Sequence, residues 1–278
     1  MSTKGFLPMK KKIRVAFMYD FDDTLMNGFM QNFGLIESLG MTNEEFWSET
    51  NKFAVEHNMD NTNAYLYKLV EVAKRKGIKL SRKYLASFAE KLPLFNGVST
   101  FFDRIKKYAS GIGIELEHYI ISTGNKEMIE ATSIGSKFNR IFACEYCYNE
   151  EGEPVWVAHN VNYTTKTQYI YRIRKNLIDK LYDSKEINKY VQDRETLLPY
   201  TNMLYFGDGF TDVPSMKTLT TKGGNTICVY TQKTKPNAQA LLKDGRVNYI
   251  APANYGSGSK IEQICKTILN GIKLQNEK

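Results

Sequence analysis

The sequence has few of the features that mark secreted or membrane proteins. Four cysteines in 278 residues are too few and too scattered for a disulfide framework, which favours a reducing cytoplasm. The apolar run Ile13–Tyr19 is too short for a membrane span or for the core of a signal peptide. No internal repeat or low-complexity segment is visible. We therefore expect an ordinary globular protein of the cytoplasm that does not interact with membranes.

The sequence also lacks the ligand spacing of a zinc site. Cys144 and Cys147 form a Cys-x-x-Cys pair, but there is no second pair to complete a site of four thiolates. The three histidines show no ligand spacing either: His57, His118 and His159. We interpret the cysteine pair as strand residues of a β-hairpin.

The formal net charge of +8 raises nucleic acid as an alternative partner. Apart from the lysines at 10–12, however, the positive residues are dispersed among acidic ones. This pattern favours a solvated surface that attracts anionic metabolites over a nucleic-acid groove. We expect a small phosphorylated metabolite as the partner and no nucleic acid, while the oligomeric state stays open.

Short apolar runs alternate with helical patterns over much of the chain. Strands are predicted at 13–19, 119–122, 141–144, 203–206, 227–230 and 247–250, with a hairpin over 146–157. Helices are predicted at 99–108, 126–132, 167–176 and 257–269. This alternation predicts an α/β fold with a Rossmann-like parallel sheet that helices cover on both faces.

Between the first and second predicted strands lies a block with helix signals and no convincing strand. Thr42 and Glu45 form a capping box, and a helical pattern over 61–76 stops at Gly77. A further helix follows Ser81 and is ended by Pro93. The block therefore predicts a helical insertion into the α/β core.

Four short stretches carry the candidate chemistry. The acidic stretch 20–24 follows the first strand, and Ser122-Thr123-Gly124 closes another strand. Lys166 stands near a helix start, and the stretch 207–212 (Gly-Asp-Gly-Phe-Thr-Asp) follows a third strand. Ligands of open α/β sheets bind beyond the carboxyl ends of the strands, so we expect these stretches to assemble into one site.

The predicted site is rich in carboxylates, namely Asp20, Asp22, Asp208 and Asp212. Four negative charges are untenable in a partly buried cleft unless cations share it. Mg²⁺ suits this role because it takes hard oxygen ligands from carboxylates, phosphate and water. Lys166 would add a positive charge, and the Ser122 hydroxyl can donate to a phosphoryl oxygen. The combination indicates phosphoryl transfer by positioning and charge stabilisation.

In this order the motifs resemble those of haloacid dehalogenase (HAD) superfamily phosphatases, and the overall order resembles the phosphoserine-phosphatase-like branch. The first motif of that family, Asp-x-Asp-x-Thr, is matched by 20–24, and the second, a Ser or Thr closing a strand, by Ser122. Lys166 is the natural candidate for the third motif, with Lys175 as a poorer alternative. Gly207-Asp208 and Asp212 match the fourth.

The resemblance implies a role for each matched residue. Asp20 would be the nucleophile that forms an aspartyl phosphate, and Asp22 the general acid and then the base. Thr24 would help to orient Asp22 and line the phosphate site. The phosphoryl oxygens would be held by Lys166 and by the second-motif residues Ser122, Thr123 and Gly124. Mg²⁺ would be bound by the Asp20 carboxylate, the Asp22 main-chain carbonyl and Asp208, with Asp212 fixing metal-bound water or Lys166.

The helical block resembles the cap that this family inserts after the first motif. The resemblance implies a core domain of residues 1–27 and 94–278 and a cap domain of residues 28–93, with hinges at Asn27-Gly28 and 95–97. The branch usually has a Glu after the first motif and Gly-Gly after the second-motif Ser, which 26–30 and Thr123-Gly124 do not match. The resemblance therefore does not identify phosphoserine as the substrate.

Three alternatives stay open from the sequence. Phosphoryl transfer to an acceptor other than water would use the same residues. A non-enzymatic phosphate-sensing protein, such as a receiver-type module, also holds an aspartyl phosphate with Mg²⁺, but it is shorter and has no helical insertion. A nucleic-acid-binding protein is supported by the net charge alone.

Overall fold

A seven-stranded sheet forms the centre of the protein in the computed structural model, which describes residues 12–192, 196 and 198–277. The strands of these residues are β1 (Ile13–Tyr19), β2 (Ile114–Asn125), β3 (Arg140–Tyr148), β4 (Pro154–His159), β5 (Met203–Gly207), β6 (Asn225–Tyr230) and β7 (Tyr249–Pro252). They lie in the order β4-β3-β2-β1-β5-β6-β7, and every pair is parallel except the antiparallel β3–β4 pair at the edge. The α/β fold with a Rossmann-like sheet is confirmed.

Helices connect the strands. They are α1 (Leu35–Ser38), α2 (Asn43–Glu56), α3 (Asn61–Arg75), α4 (Arg82–Ala86), α5 (Val98–Gly111), α6 (Lys126–Glu130), α7 (Lys166–Arg174), α8 (Ser184–Asn188), α9 (Val213–Thr221), α10 (Lys235–Lys243) and α11 (Lys260–Asn276). Within the described ranges, none of them combines the length and the apolar composition needed to cross a bilayer.

Strand β1 lies at the centre of the sheet, and its residues are mostly apolar. Val15–Tyr19 are fully buried because neighbouring strands and covering helices enclose them on all sides. At its carboxyl end Tyr19 pairs with Ile120 of β2 on one side and Phe206 of β5 on the other, and the Tyr19 and Phe206 rings stack at 4.4 Å. The residues that follow β1, β2 and β5 therefore share one edge of the sheet.

The helical segment, by which we mean residues 30–91, contains α1–α4 and two 3-10 turns. The sequence predicts helices at α2, α3 and α4, but not α1 or the 3-10 turns. Two connectors join it to the sheet side by side: the Asn27 amide donates to the Pro93 carbonyl at 3.1 Å, and the Phe95 amide to the Leu25 carbonyl at 2.9 Å. The predicted capping box is present, because Thr42 and Glu45 exchange their hydrogen bonds at the start of α2.

Several element boundaries differ from the sequence predictions. Strand β2 starts at Ile114 rather than 119, because the Glu117 carboxylate inside it is matched by Arg14 at 2.7 Å and by the Tyr119 hydroxyl at 2.7 Å. β3 continues through the Cys-x-x-Cys to Tyr148 and forms the predicted hairpin with β4. All four cysteines are free thiols.

The sequence predictions of other elements were wrong in length, and some helices were not predicted. The helix after Ser81 ends at Ala86 and is followed by a 3-10 turn, so it does not run to 92. The last strand starts two positions late, at Tyr249, and α11 extends to Asn276. Helices α1, α8, α9 and α10 were not predicted from the sequence. α1 and α8 are only about one turn long, whereas Pro near the first residue of α9 and of α10 is a helix-start signal that was not used.

Candidate active site

Asp20 begins the site where β1 ends. Its backbone amide continues the hydrogen bonding between β1 and β5 and donates to the Phe206 carbonyl at 2.9 Å. Its carboxylate accepts from the Phe21 amide at 2.7 Å on Oδ1 and pairs with Lys166 Nζ at 2.8 Å on Oδ2. The side chain is almost completely buried. Asp20 is thus held by one backbone donor and one cation.

The turn after Asp20 fixes the direction of the next carboxylate. The Leu25 amide donates to the Phe21 carbonyl at 2.9 Å, and Asp23 takes a left-handed conformation with φ 53°. Asp is one of the residues that tolerate this region, and the Asp23 carboxylate accepts from the Gly28 amide at 2.7 Å. Asp23 therefore shapes the turn rather than the catalytic centre.

Asp22 is oriented by the start of the helical segment. Its Oδ1 accepts from the Met30 amide at 3.1 Å, and the side chain is buried. The Thr24 hydroxyl was expected to orient Asp22, but it forms no hydrogen bond with any described residue. Thr24 instead contributes its carbonyl, which accepts from the Tyr255 hydroxyl at 2.8 Å. In this structure the backbone of Met30 takes the orienting role.

The second motif closes β2 next to Asp22. Ser122 is fully buried, and its Oγ accepts from the Gly124 amide at 3.1 Å. The Thr123 carbonyl accepts from the hydroxyl of Tyr65 in α3. A Cβ at Gly124 would lie 2.1 Å from Met30 Cε and 3.5 Å from Asp22 Oδ2. A side chain at 124 would therefore force the end of the Met30 side chain out of the space that it fills beside the carboxylate.

Lys166, at the start of α7, lies at the centre of the charged groups. Its fully buried Nζ is 2.8 Å from Asp20 Oδ2 and 2.7 Å from Asp212 Oδ1. Lys175, the alternative third-motif residue, lies at the end of the same helix and donates to the carbonyls of Ile187 and Lys189. The structure thus brings Lys166 to the other motifs and leaves Lys175 outside them.

The fourth motif supplies the remaining acids beyond β5. Asp212 is fully buried; its Oδ1 accepts from the Tyr205 hydroxyl at 2.8 Å, and its Oδ2 from the Asp208 amide at 3.2 Å. A Cβ on Gly207 would be 2.3 Å from Asp212 Oδ2. The glycine at 207 therefore lets this carboxylate lie directly against the backbone.

Burial, and after it the neighbouring carboxylates, raises the pKa values of the acids in the site. Burial raises the pKa of Asp20 to about 6; Lys166 opposes this rise and Asp212 adds to it. Burial, together with the neighbouring carboxylates, holds the pKa values of Asp22 and Asp208 well above the usual range. For Lys166 burial works against the charged form, but Asp20 and Asp212 outweigh it and raise its pKa. One ammonium does not balance these acids, so the site calls for a further cation.

The donor set fits Mg²⁺. Asp20, Asp208 and Asp212 each offer a carboxylate oxygen, and these oxygens lie within 4.8 Å of one another. Such a spacing requires only modest side-chain adjustment to bind one ion with bonds of about 2.1 Å, and hard oxygen ligands are those that Mg²⁺ prefers. The Asp22 carboxylate is not part of this group. The expected contact of the metal with the Asp22 main-chain carbonyl stays a prediction.

Several residues of the site were not identified from the sequence. Tyr205 and Tyr65 look like ordinary core aromatics, and only the folded chain shows their hydroxyls on Asp212 and on the Thr123 carbonyl. Met30 acts through its amide and its thioether, which no motif reports. The one usable signal was the Asn at 125, a polar residue immediately after the second motif in a buried strand.

Comparison with known proteins gives a consistent fold. No protein-family model matches the chain. An uncharacterized protein of Borreliella burgdorferi is 27% identical over 286 residues, covering 91% of this chain and 98% of that protein. This relative is similar over nearly its full length but carries no functional description.

Solved structures of a HAD-family hydrolase and of phosphoserine-phosphatase-like proteins resemble the chain in fold. A HAD-family hydrolase of Salmonella enterica serovar Typhi superposes with a TM-score of 0.60 at 15% identity, covering 91% of this chain and 70% of that one. A probable phosphoserine phosphatase of Vibrio cholerae gives 0.57 at 13% identity, with coverage of 95% and 67%. A phosphoserine phosphohydrolase-like protein of Francisella tularensis gives 0.53 at 18% identity, with coverage of 90% and 98%. The chain has the fold of the HAD-family hydrolases.

Proposed function

We propose that this protein is a Mg²⁺-dependent hydrolase of phosphate monoesters of small metabolites, which acts through an aspartyl phosphate on Asp20. The observation that carries the proposal is the pairing of a buried Asp20 carboxylate with Lys166 at 2.8 Å, inside a group of three carboxylates with oxygens within 4.8 Å. The HAD-type neighbours, which include named phosphoserine phosphatases, support the same chemistry.

In the first step Asp20 attacks the phosphorus atom. Lys166 keeps the Asp20 carboxylate ionised and, with Ser122, stabilises charge on the phosphoryl oxygens. The raised pKa of Asp22 keeps its proton available, so Asp22 can donate it to the leaving oxygen as the ester bond breaks. Mg²⁺, when bound by Asp20, Asp208 and Asp212, would neutralise negative charge that otherwise repels the phosphate dianion.

In the second step water replaces Asp20 on phosphorus. Asp22 is now deprotonated and takes the proton from the attacking water, which regenerates its acid form and releases inorganic phosphate. The Met30 amide holds Asp22 in place through both steps, because it binds the carboxylate at 3.1 Å. Closure of the helical segment over the site, as a cap of residues 28–93, would keep bulk water from the intermediate.

The first test is the metal dependence of hydrolysis. With p-nitrophenyl phosphate, turnover should be abolished by a chelator and restored by excess Mg²⁺, while Ca²⁺ should substitute poorly because its larger shell suits the geometry less. The Asp103→Asn variant is the matched control, since Asp103 is exposed and pairs with Lys137. Full activity in excess chelator would contradict the metal assignment.

A further inference from the structure

A buried amide next to the second motif has an incomplete set of partners. Asn125 is fully buried, and its Oδ1 accepts from Gln31 Nε2 at 3.0 Å. Its Nδ2 has no partner among the described residues. Leaving a buried polar group unpaired costs about 1–3 kcal/mol, so a ligand that supplies the missing partner gains a specific contact. If the orientation of both amides were reversed, one polar end of Asn125 would still lack a partner.

Asn125 lies on the side of the site where Asp22 is held. The Met30 backbone amide donates to Asp22 Oδ1 at 3.1 Å, and the Met30 thioether accepts from the backbone amide of Asn125 at 3.2 Å. Gly124 lies next to both Met30 and Asp22, because a Cβ at this position would be 2.1 Å from Met30 Cε and 3.5 Å from Asp22 Oδ2. In the proposed mechanism Asp22 protonates the leaving oxygen, so these contacts through Met30 place the backbone of Asn125 near the leaving-group side of the phosphate.

A row of aromatic rings from Phe29 and the helical segment adjoins the same motif. The Tyr65 hydroxyl donates to the Thr123 carbonyl, and the Trp47 ring is 6.1 Å from that of Tyr65. The Phe29 ring is 5.8 Å from Trp47 and is 51% exposed. The row Phe29–Trp47–Tyr65 therefore runs from the second motif to the protein surface, where it offers apolar contact and ring stacking.

Two prominent cations of the helical segment are already paired with protein carboxylates. Lys68 is bound by Glu71 at 2.5 Å and lies 3.5 Å from Glu49. Arg82 is bound by Glu145 at 2.7 Å. These two side chains are therefore committed to the protein and do not provide ion pairs for a carboxylate on the substrate.

We propose that Asn125 determines specificity by donating a hydrogen bond to an uncharged acceptor oxygen on the leaving group, whose aromatic part packs on the Phe29–Trp47–Tyr65 row. The preferred substrates are monoesters of neutral alcohols that combine an aromatic ring with a carbonyl or hydroxyl group. Zwitterionic esters such as O-phosphoserine are disfavoured, because the row offers their charged groups no partner. This inference rests on the proposed function, since it places the leaving group beside Asp22.

The kinetic test compares phenyl phosphate with its three acetylphenyl isomers, in which the carbonyl is the added acceptor. The Asn125→Leu variant should lower kcat/KM for at least one acetyl isomer about 10-fold more than for phenyl phosphate, because only that isomer loses a hydrogen bond. The matched control is Asn202→Leu, which removes a buried amide bound to the Arg14 carbonyl at the far end of β5. It should leave the ratio between substrates at the wild-type value.

An equal loss on all four esters in Asn125→Leu would overturn the inference, because Asn125 would then be only structural. The inference would also be overturned if the wild-type enzyme hydrolysed O-phosphoserine faster than every aryl ester. The same esters should also be titrated by calorimetry into Asp20→Asn protein in Mg²⁺, with and without Asn125→Leu. If no ester is turned over, the proposed function fails. The binding ratios still decide the role of Asn125, with a selective loss supporting it and an equal loss overturning it.

Discussion

Position 207 shows how a single residue without a side chain maintains the site. Gly207 ends β5, and the carboxylate of Asp212 occupies the space where a Cβ would stand, at 2.3 Å. Asp212 in turn holds Lys166 and accepts from Tyr205. The position of the Lys166 ammonium in α7 therefore depends on the absence of a Cβ at residue 207, at the end of β5.

We expect Gly207→Ala to displace Asp212 and to reduce hydrolysis by at least about 100-fold, the scale of losing a positioned charge in a catalytic site. The Mg²⁺ concentration for half-maximal activity should rise, as measured by titration with p-nitrophenyl phosphate. Gly111→Ala is the control, because no atom lies near its Cβ and it ends helix α5. If Gly207→Ala kept wild-type activity and metal requirement, Asp212 would not be needed in its observed position.

At the scale of elements, a cluster of charges joins the helical segment to the sheet. Glu145 of β3 accepts from Arg82 of α4 at 2.7 Å, from Lys126 of α6 at 2.9 Å and lies 3.1 Å from His159 of β4. The hydrogen bond with His159, and then those with Lys126 and Arg82, hold the pKa of Glu145 well below its usual value of 4.5. One carboxylate thus connects four elements.

This cluster predicts a pH-dependent contribution to stability. Because the folded-state pKa of Glu145 is depressed, its contribution is present above about pH 4.5 and is lost as the pH falls through the folded value. Glu145→Gln should lower the free energy of unfolding in urea by about 2 kcal/mol at pH 7, and by less at pH 3.5. Glu151→Gln, at the exposed tip of the hairpin, should have little effect. A loss for Glu145→Gln that is the same at both pH values would argue against an electrostatic origin.

The elements also show which parts of the fold the sequence could predict. The strands β1, β5 and β6 each contain an uninterrupted apolar run of four or five residues, so composition and length locate them. Strand β2 was predicted too short because Glu115, Glu117 and His118 interrupt its apolar pattern. Only the tertiary partners of Glu117 and His118, which are Arg14 and Tyr19, make these residues acceptable in a central strand.

At the scale of the whole molecule, acid stability should depend on a histidine in the core. His118 is fully buried and accepts or donates one hydrogen bond with the Tyr19 hydroxyl at 3.1 Å. Burial, with a smaller effect of Lys106, lowers its pKa from 6.5 to about 3. The unfolded chain therefore binds a proton between pH 6.5 and 3 that the folded protein does not, and this difference lowers the stability as the pH falls through that window.

His118→Gln keeps a neutral polar group for Tyr19 but cannot take up the proton. We expect the variant to lose stability more slowly than the wild type between pH 6.5 and 4, with a difference in slope of up to about 1.4 kcal/mol per pH unit. Urea unfolding at several pH values measures it, and His57→Gln in the exposed end of α2 is the control. Parallel pH dependence in the wild type and His118→Gln would show that His118 does not titrate in this way.

The motifs could be predicted because a parallel sheet gathers the ends of β1, β2 and β5 at one edge, and their order alone places Asp20, Ser122 and Asp208 together. The contributions of the helical segment to the site could not be predicted from the sequence. Met30, Gln31 and Tyr65 reach the site through hydrogen bonds to Asp22, Asn125 and Thr123 that depend on how two connectors bring the segment back to the sheet. No spacing in the sequence encodes that return.

The central claim is that Asp20 is covalently phosphorylated during turnover. The most direct measurement is rapid quenching with an activated aryl phosphate and Mg²⁺, followed by mass spectrometry of the peptide that contains Asp20. We predict a hydroxylamine-sensitive phosphate on Asp20 in the wild type. It should persist longer in Asp22→Asn, which lacks the base for the second step, and be absent in Asp20→Asn together with turnover. Near-wild-type turnover by Asp20→Asn, or a phosphate found on another residue, would contradict the account.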